Sequence, residues 1–362
     1  MVRQVFGFPA TLRRNPDLFC QGDSMAENAV SELLAELKRG AADYYPRRGE
    51  VRNVRVVSHA PKRDLCIYEI VVDFAAGSER LAAKVYRAGP GNQRAQNRAR
   101  QELDNLRLVY GIFQKEKLTG IPRPVGDYTH WGAVVAEKFG GLPLQSIIMK
   151  AALLPGYAGQ ETLAVAARKS GEWLRSFQRA TAHPLAMFPA DGLLQELEKL
   201  CLRCQSEGLE EAAIRTILSG ASTMLRRGRR SWPSSAVLND FTPLNVMVGE
   251  QGIGICDYAH MSPRGTAFND AAQFLAAVEA LEKYPFCNRG ITREVQKQFL
   301  AGYGATAGDQ AILQVLKMRA LLAMFVEGNG GKESTVRKKV MWATVMKRFI
   351  EQSAQRSLAP AA

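Results

Sequence analysis

Val237-Leu238-Asn239-Asp240-Phe241-Thr242-Pro243-Leu244-Asn245-Val246-Met247-Val248, followed by Ile255-Cys256-Asp257-Tyr258, is the stretch of this 362-residue chain on which its fold turns. Two short apolar runs, 246–248 and 253–255, flank the turn Gly249-Glu250-Gln251-Gly252, the composition of a β-hairpin. Antiparallel pairing across that turn brings Asn245 and Asp257 to the same open end of the hairpin. An amide oxygen beside a carboxylate is a pair of hard oxygen ligands suited to Mg²⁺. Asp240 stands on the loop that enters the hairpin, where a carboxylate can orient an attacking hydroxyl and accept its proton.

Outward from this stretch the pattern changes once, at Gly140-Gly141, which reads as a flexible joint. Before it, strand-like runs at 54–58, 65–74 and 80–86, joined by the turn-rich HAPKRD and AAGSE, predict a β-meander. A helix is expected from about 94 to 110 with Gly111 as its stop, then strands at 126–128 and 133–139. Further upstream, 24–39 reads as a helix with Ser24 and Glu27 as a capping box, Gly40 as its stop and Val30, Leu33, Leu34 and Leu37 as its apolar stripe. From about 142 the spacing predicts helices at 160–181, 193–206, 208–226, 268–283, 292–302, 308–325 and 333–357, with the hairpin as their one β-island. The plan is α+β and two-lobed: an extension over 1–49, a strand-rich lobe over 50–139 and a helical lobe over 140–362.

In the strand-rich lobe Lys84 falls on the strand face opposite Leu81, Ala83 and Val85. Glu102 falls on the apolar face of the next helix, with Ala99, Leu103 and Leu106. A carboxylate there is costly unless a cation pairs with it, and Lys84 is the natural partner.

The charge, 48 basic against 35 acidic residues, is +13, which favours acidic small partners such as nucleotides and phosphosugars. The excess is spread along the chain apart from Arg226, Arg227, Arg229 and Arg230, read as a solvated basic loop, and nucleic-acid binding is not expected. No apolar run is long enough for a membrane span and no secretory signal is apparent, so a cytoplasmic protein with reduced thiols is expected, peripheral membrane contact aside. Cys201 and Cys204 fall together on the apolar face of a helix and read as packing residues; a metal site would need further ligands at matching spacing. His59, His130, His183 and His260 are too dispersed for a metal cluster.

Asp240-x4-Asn245 followed by a strand-borne Asp257 resembles the catalytic loop and metal-binding Asp of protein kinases. The surrounding residues look more like the aminoglycoside phosphotransferase family, with the choline, homoserine and sugar kinases of the same fold. That family's wording is His-Gly-Asp-x-x-x-x-Asn and then Ile-Asp-Trp/Phe; here the chain has Leu238-Asn239-Asp240 and Cys256-Asp257-Tyr258. Asn269-Asp270-Ala271-Ala272 resembles the family's Asp-Leu-Ala segment, whose Asp anchors the catalytic loop from a helix N-terminus. Ala82, Lys84 and Val85 match its Ala-x-Lys-Val/Ile pattern. The resemblance runs from about residue 50 to 350 and leaves 1–49 unaccounted for.

It implies a protein-kinase-like fold that moves the γ-phosphate of ATP, with Mg²⁺, onto a small-molecule hydroxyl. Asp240 would be the catalytic base, and Asn245 and Asp257 would hold the metal. Lys84, paired with Glu102, would grip the α/β-phosphates, and backbone groups from Glu137 to Phe139 would hold adenine. Several departures stand out. The loop 59–64 has no glycine where protein kinases carry a phosphate lid, Leu238 replaces the usual histidine, and Gln178 stands at another. No Ala-Pro-Glu segment follows Asp257. A neutral or anionic sugar-type acceptor is expected, with a lipid-linked glycan kinase and a nucleotide-binding pseudokinase as the alternatives.

Overall fold

The computed structural model describes residues 24–62, 64–87, 93–154, 156, 159–187, 189–227, 231–284, 286–330 and 342–358. They form two compact units, one of the residues up to Lys115 with Ile121–Phe139, the other of Glu116–Gly120 with those from Gly140 onward.

The first unit opens with helix α1 (Ser24–Tyr44), followed by strands β1 (Val51–Pro61), β2 (Leu65–Phe74) and β3 (Gly77–Tyr86), helix α2 (Gln93–Lys115) and strand β4 (Ala133–Glu137). The strands make one antiparallel sheet in the order β1-β2-β3-β4. Alternation sends Leu81, Ala83 and Val85 of β3 to one face with Tyr68, Ile70 and Val72 of β2. There they pack on Val30, Leu33, Leu37 and Ala41 of α1. The other face carries Lys84 and meets α2 through Glu102.

Helix α1 continues past Gly40 because Ala41 extends its buried stripe. The side chains of Ser24 and Glu27 lie outside the described residues. Helix α2 likewise runs through Gly111, since Val109 and Phe113 keep its buried face going and one helical glycine costs only about 1 kcal/mol. The strand expected at 126–128 does not form. Pro124 makes an isolated bridge to Ala136, and Gly126, at φ 75°, turns the chain away.

The second unit holds α3 (Leu144–Leu153), α4 (Gln160–Ala180), α5 (Ala190–Ser206), α6 (Glu211–Arg227), α7 (Phe268–Ala280), α8 (Arg289–Tyr303), α9 (Gln310–Gly330) and α10 (Lys347–Leu358). Part of the expected 333–357 helix, residues 333–341, lies outside the described residues. Among the helices sit two small sheets where the sequence predicts one hairpin. The hairpin itself, β8 (Val246–Gly249) and β9 (Gly252–Ile255), is joined by β5 (Leu142–Pro143). The second sheet, β6 (His183–Met187), β7 (Ser231–Val237) and β10 (Ser262–Thr266), has the order β10-β7-β6. Each of its strands contains a proline and none alternates cleanly, so periodicity does not reveal it.

At Gly140-Gly141, where the chain passes from the first unit into the second, the backbone also crosses closely over the hairpin. A Cβ on Gly141, at φ 128°, would lie 2.2 Å from the Val248 carbonyl oxygen, and one on Gly249 would lie 2.2 Å from that of Gly140.

Candidate active site

In the second unit the register Val246↔Ile255, extended by the Cys256 N–H donating to the Asn245 carbonyl at 3.4 Å, brings Asn245 and Asp257 to the open end of the hairpin. The loop ahead of it is closed by two short turns, Thr242 N–H to Asp240 O at 2.9 Å and Asn245 N–H to Thr242 O at 3.0 Å. The Asn245 side-chain nitrogen donates to the Asp240 carbonyl at 2.9 Å and to its Oδ2 at 2.8 Å. With both amide hydrogens directed at Asp240, the Asn245 side-chain oxygen Oδ1 is the atom that could serve a cation. Asp257 Oδ1 accepts the Ala259 N–H at 3.1 Å. Burial, then the negative charge of Asp257, push the Asp240 carboxyl up to about 6, against the pull of the Asn245 hydrogen bond and His260.

The loop is held from beneath. Asp270, fully buried near the start of α7, accepts the N–H groups of Leu238 and Asn239 at 2.8 and 2.9 Å. Burial pushes its carboxyl up while those two donors pull it down. Asn239 takes the left-handed conformation at φ 59°, which asparagine tolerates better than most side chains. Its Nδ2 donates to His260 O and Ser262 Oγ, both at 3.0 Å, and its Oδ1 accepts from Asn269 at 3.0 Å. Gln273 donates to its carbonyl at 2.9 Å, and Arg319 donates to Asn269.

Leu238 is buried and can only pack, so polar support for the loop beside it comes from Asn239 and its partners. Sequence reasoning missed Asn239, Asn269, Gln273 and Arg319. The one local signal was an asparagine in a turn, a residue type suited to αL. Beside Asp240, Phe241 is fully buried among Trp173, Phe274 and Phe299, with ring centroids 6.1, 5.8 and 6.3 Å away. Gln178 is also structural: it donates to the Ala267 carbonyl and accepts the Tyr303 hydroxyl at 2.8 Å.

In the first unit Lys84 Nζ lies 2.5 Å from Glu102 Oε1, the lysine side chain 13% and the glutamate 2% exposed. Tyr86, two residues along the same strand face, donates to Glu102 Oε2 at 2.6 Å. That third member, unremarked in the sequence, shares the face with Lys84 by the period of two. The Glu137 N–H donates to Arg123 O at 2.8 Å and the Lys138 N–H to Arg80 O at 2.9 Å. Phe139, half-buried, ends the unit. The glycine-free loop is shorter than expected, because β1 runs to Pro61 and the Lys62 N–H donates to Leu65 O at 2.8 Å; Arg63 lies outside the described residues.

Cys201 and Cys204 are buried, and burial pushes their thiols up to about 11 and 12, which keeps them protonated. Arg229, Arg230 and the Arg227 side chain lie outside the described residues. Among the described residues no three His, Cys, Asp or Glu are grouped to cage a metal, and no helix is long and apolar enough to cross a membrane.

No protein-family model and no curated protein matches the sequence. Solved structures do match. A choline kinase from Cryptosporidium parvum Iowa II aligns with a TM-score of 0.54 at 11% identity, over 90% of this chain and 96% of its own. A glucosamine kinase in complex with glucosamine, ADP and inorganic phosphate aligns at 0.51 and 13%, over 88% and 97%. A putative fructosamine-3-kinase from Thermobifida fusca aligns at 0.51 and 15%, over 91% and 99%. The chain therefore has the protein-kinase-like α+β fold that the sequence resemblance implies.

Proposed function

We propose that this protein is a divergent small-molecule kinase of the aminoglycoside phosphotransferase and choline kinase type, transferring the γ-phosphoryl group of ATP to a hydroxyl of a sugar or glycan-related acceptor. One observation carries the reading: Asp240 is presented on a loop held by Asp270 and hydrogen-bonded to Asn245, in the fold of sugar and choline kinases. In its ionised form Asp240 accepts a hydrogen bond from the attacking hydroxyl, orients it and takes its proton as the acceptor oxygen bonds to the γ-phosphorus and the bond from that phosphorus to ADP, the leaving group, breaks. Asn245 Oδ1 and the Asp257 carboxylate suit Mg²⁺, which binds through one or two protein oxygens and takes its other ligands from phosphate and water. When bound, the ion would neutralise charge on the phosphates.

Lys84, held by Glu102, which Tyr86 anchors in turn, supplies a fixed ammonium for the α/β-phosphates. For the base, the carbonyl of residue i and the N–H of residue i+2 point the same way from an extended segment. The Glu137 carbonyl and the Phe139 N–H thus suit the adjacent donor and acceptor of adenine.

The experiment is ATP turnover by the wild type and Asp240→Ala across sugars, sugar phosphates and amino alcohols, with Mg²⁺. Transfer by the wild type and a loss of at least about a hundredfold in the variant are expected. Equal rates for both proteins would sink the assignment. The glycine-free loop motivates a second reading, a nucleotide-binding module without transfer. Its mark would be a Mg·ADP-induced rise in melting temperature with no acceptor phosphorylated by the wild type.

A further inference from the structure

At the end of β4 the first unit carries a knot of side chains for which phosphoryl transfer itself has no use. Tyr45, the residue after α1, is 7% exposed, and its hydroxyl donates to Glu137 Oε1 at 3.1 Å. Arg123 brings Nε and Nη2 to the same oxygen at 3.0 and 2.8 Å. Its guanidinium carbon lies 4.6 Å from the centre of the Tyr45 ring, and Nη1 donates to the Tyr44 carbonyl at 3.0 Å. The Glu137 N–H donates in turn to Arg123 O. Burial, reinforced by the Glu137 carboxylate, raises the Tyr45 hydroxyl far above the pH range of the cell, so it stays a donor.

The end of α1, the segment carrying Arg123 and the end of β4 are thus tied at one carboxylate, through both backbone and side chain. Charge-assisted bonds converging in this way fix orientation as well as adding energy. The residue they fix is Glu137, whose peptide carbonyl is the first of the two groups proposed to hold the base. On the sheet side that peptide is restrained by the Lys138 N–H bond to Arg80 O, with Lys138 Nζ 2.7 Å from Glu69 Oε2, and on the other side by the knot, so loss of the knot leaves its tilt held from one side. Hydrogen bonds weaken steeply as they lose alignment, so a few tens of degrees of peptide rotation matter.

We infer that Tyr45 and Arg123 are positioning residues for nucleotide-base recognition, and that helix α1 belongs to the nucleotide-binding apparatus. This rests on the reading that Glu137 and Phe139 hold the base. Both residues act through Glu137, so their loss is felt by ligands that have a base and not by a phosphate chain alone.

The test titrates the full chain with Mg·ADP and with Mg·tripolyphosphate by calorimetry, for the wild type, Tyr45→Phe and Arg123→Gln, with melting temperatures of the unliganded proteins alongside. ADP binding is expected to weaken about threefold to tenfold in each variant while tripolyphosphate binding stays unchanged. In turnover, KM for ATP rises and kcat holds. An unchanged ADP affinity in both variants overturns the inference, and so does an equal loss for both ligands, which would mark general damage to the unit. Should Arg123→Gln not fold, Tyr45→Phe, which removes a single oxygen, decides. A wild type that binds ADP no more tightly than tripolyphosphate removes the base-holding reading itself, and this inference with it.

Discussion

Asp240 shows how one residue's environment sets its working range. Its raised carboxyl, near 6 in the ligand-free protein, means that it is still partly protonated at a pH where an ordinary aspartate is fully charged. In the ligand-free protein the proton-accepting form therefore accumulates as pH rises through about 6. A bound Mg²⁺ would offset the Asp257 charge and draw that range down, so transfer should fall off at a more acid pH than the ligand-free midpoint. Carboxyl ¹³C NMR of the ligand-free protein should find that midpoint at about 6. Asp257→Asn should lower it by removing the like charge, yet leave it above the ordinary aspartate value because burial remains. A midpoint unmoved by that substitution would refute the coupling. Asp270→Asn has a different signature: the amide presents only one acceptor oxygen to two N–H groups, leaving a buried donor unmet. A loss of about 1–3 kcal/mol in a denaturant titration is expected, with a fall in kcat as the loop loosens.

The elements matter here for what they hold in place. Between β7 and β8 the loop carries no regular hydrogen-bonded ladder, and it is pinned by Asp270 on one side and by Phe241 in its aromatic nest on the other. Phe241→Ala should destabilise the protein by about 3–5 kcal/mol through the lost burial and the cavity left behind, as read from a chemical denaturation midpoint. Helix α1 is an element of the same importance in the first unit. Its apolar stripe covers one face of the sheet, and Glu36 accepts the Trp131 indole N–H at 2.8 Å, so this helix is integral to that unit's core. In α5, Cys201 and Cys204 should not react with an aromatic disulfide reagent until the protein unfolds, because burial keeps both thiols protonated and out of reach.

For the whole molecule, strand and helix periodicity were enough to separate a strand-rich stretch from a helical one. The order of Lys84, Glu102, Asp240, Asn245 and Asp257 along it was enough to suggest the fold. These features are local: a two-residue alternation, an amphipathic stripe, a hairpin turn and a short spacing each leave a mark on neighbouring residues. The Lys84–Glu102 pair was legible for the same reason, since a carboxylate on an apolar helix face demands a cation. The rest depends on residues far apart in the chain: Asn239 with Asn269 and Arg319, Tyr45 with Arg123 and Glu137, Tyr86 joining Glu102, and the sheet built from β6, β7 and β10. A polar side chain carries no sequence signal of which distant partner satisfies it, and a strand paired through irregular, proline-bearing residues has no periodicity to read. The chemistry available to this protein is written in its residues, because acid, amide and ammonium groups belong to side chains whatever the fold. The tertiary structure decided how firmly each is aimed, because aim comes from the partners that folding brings together.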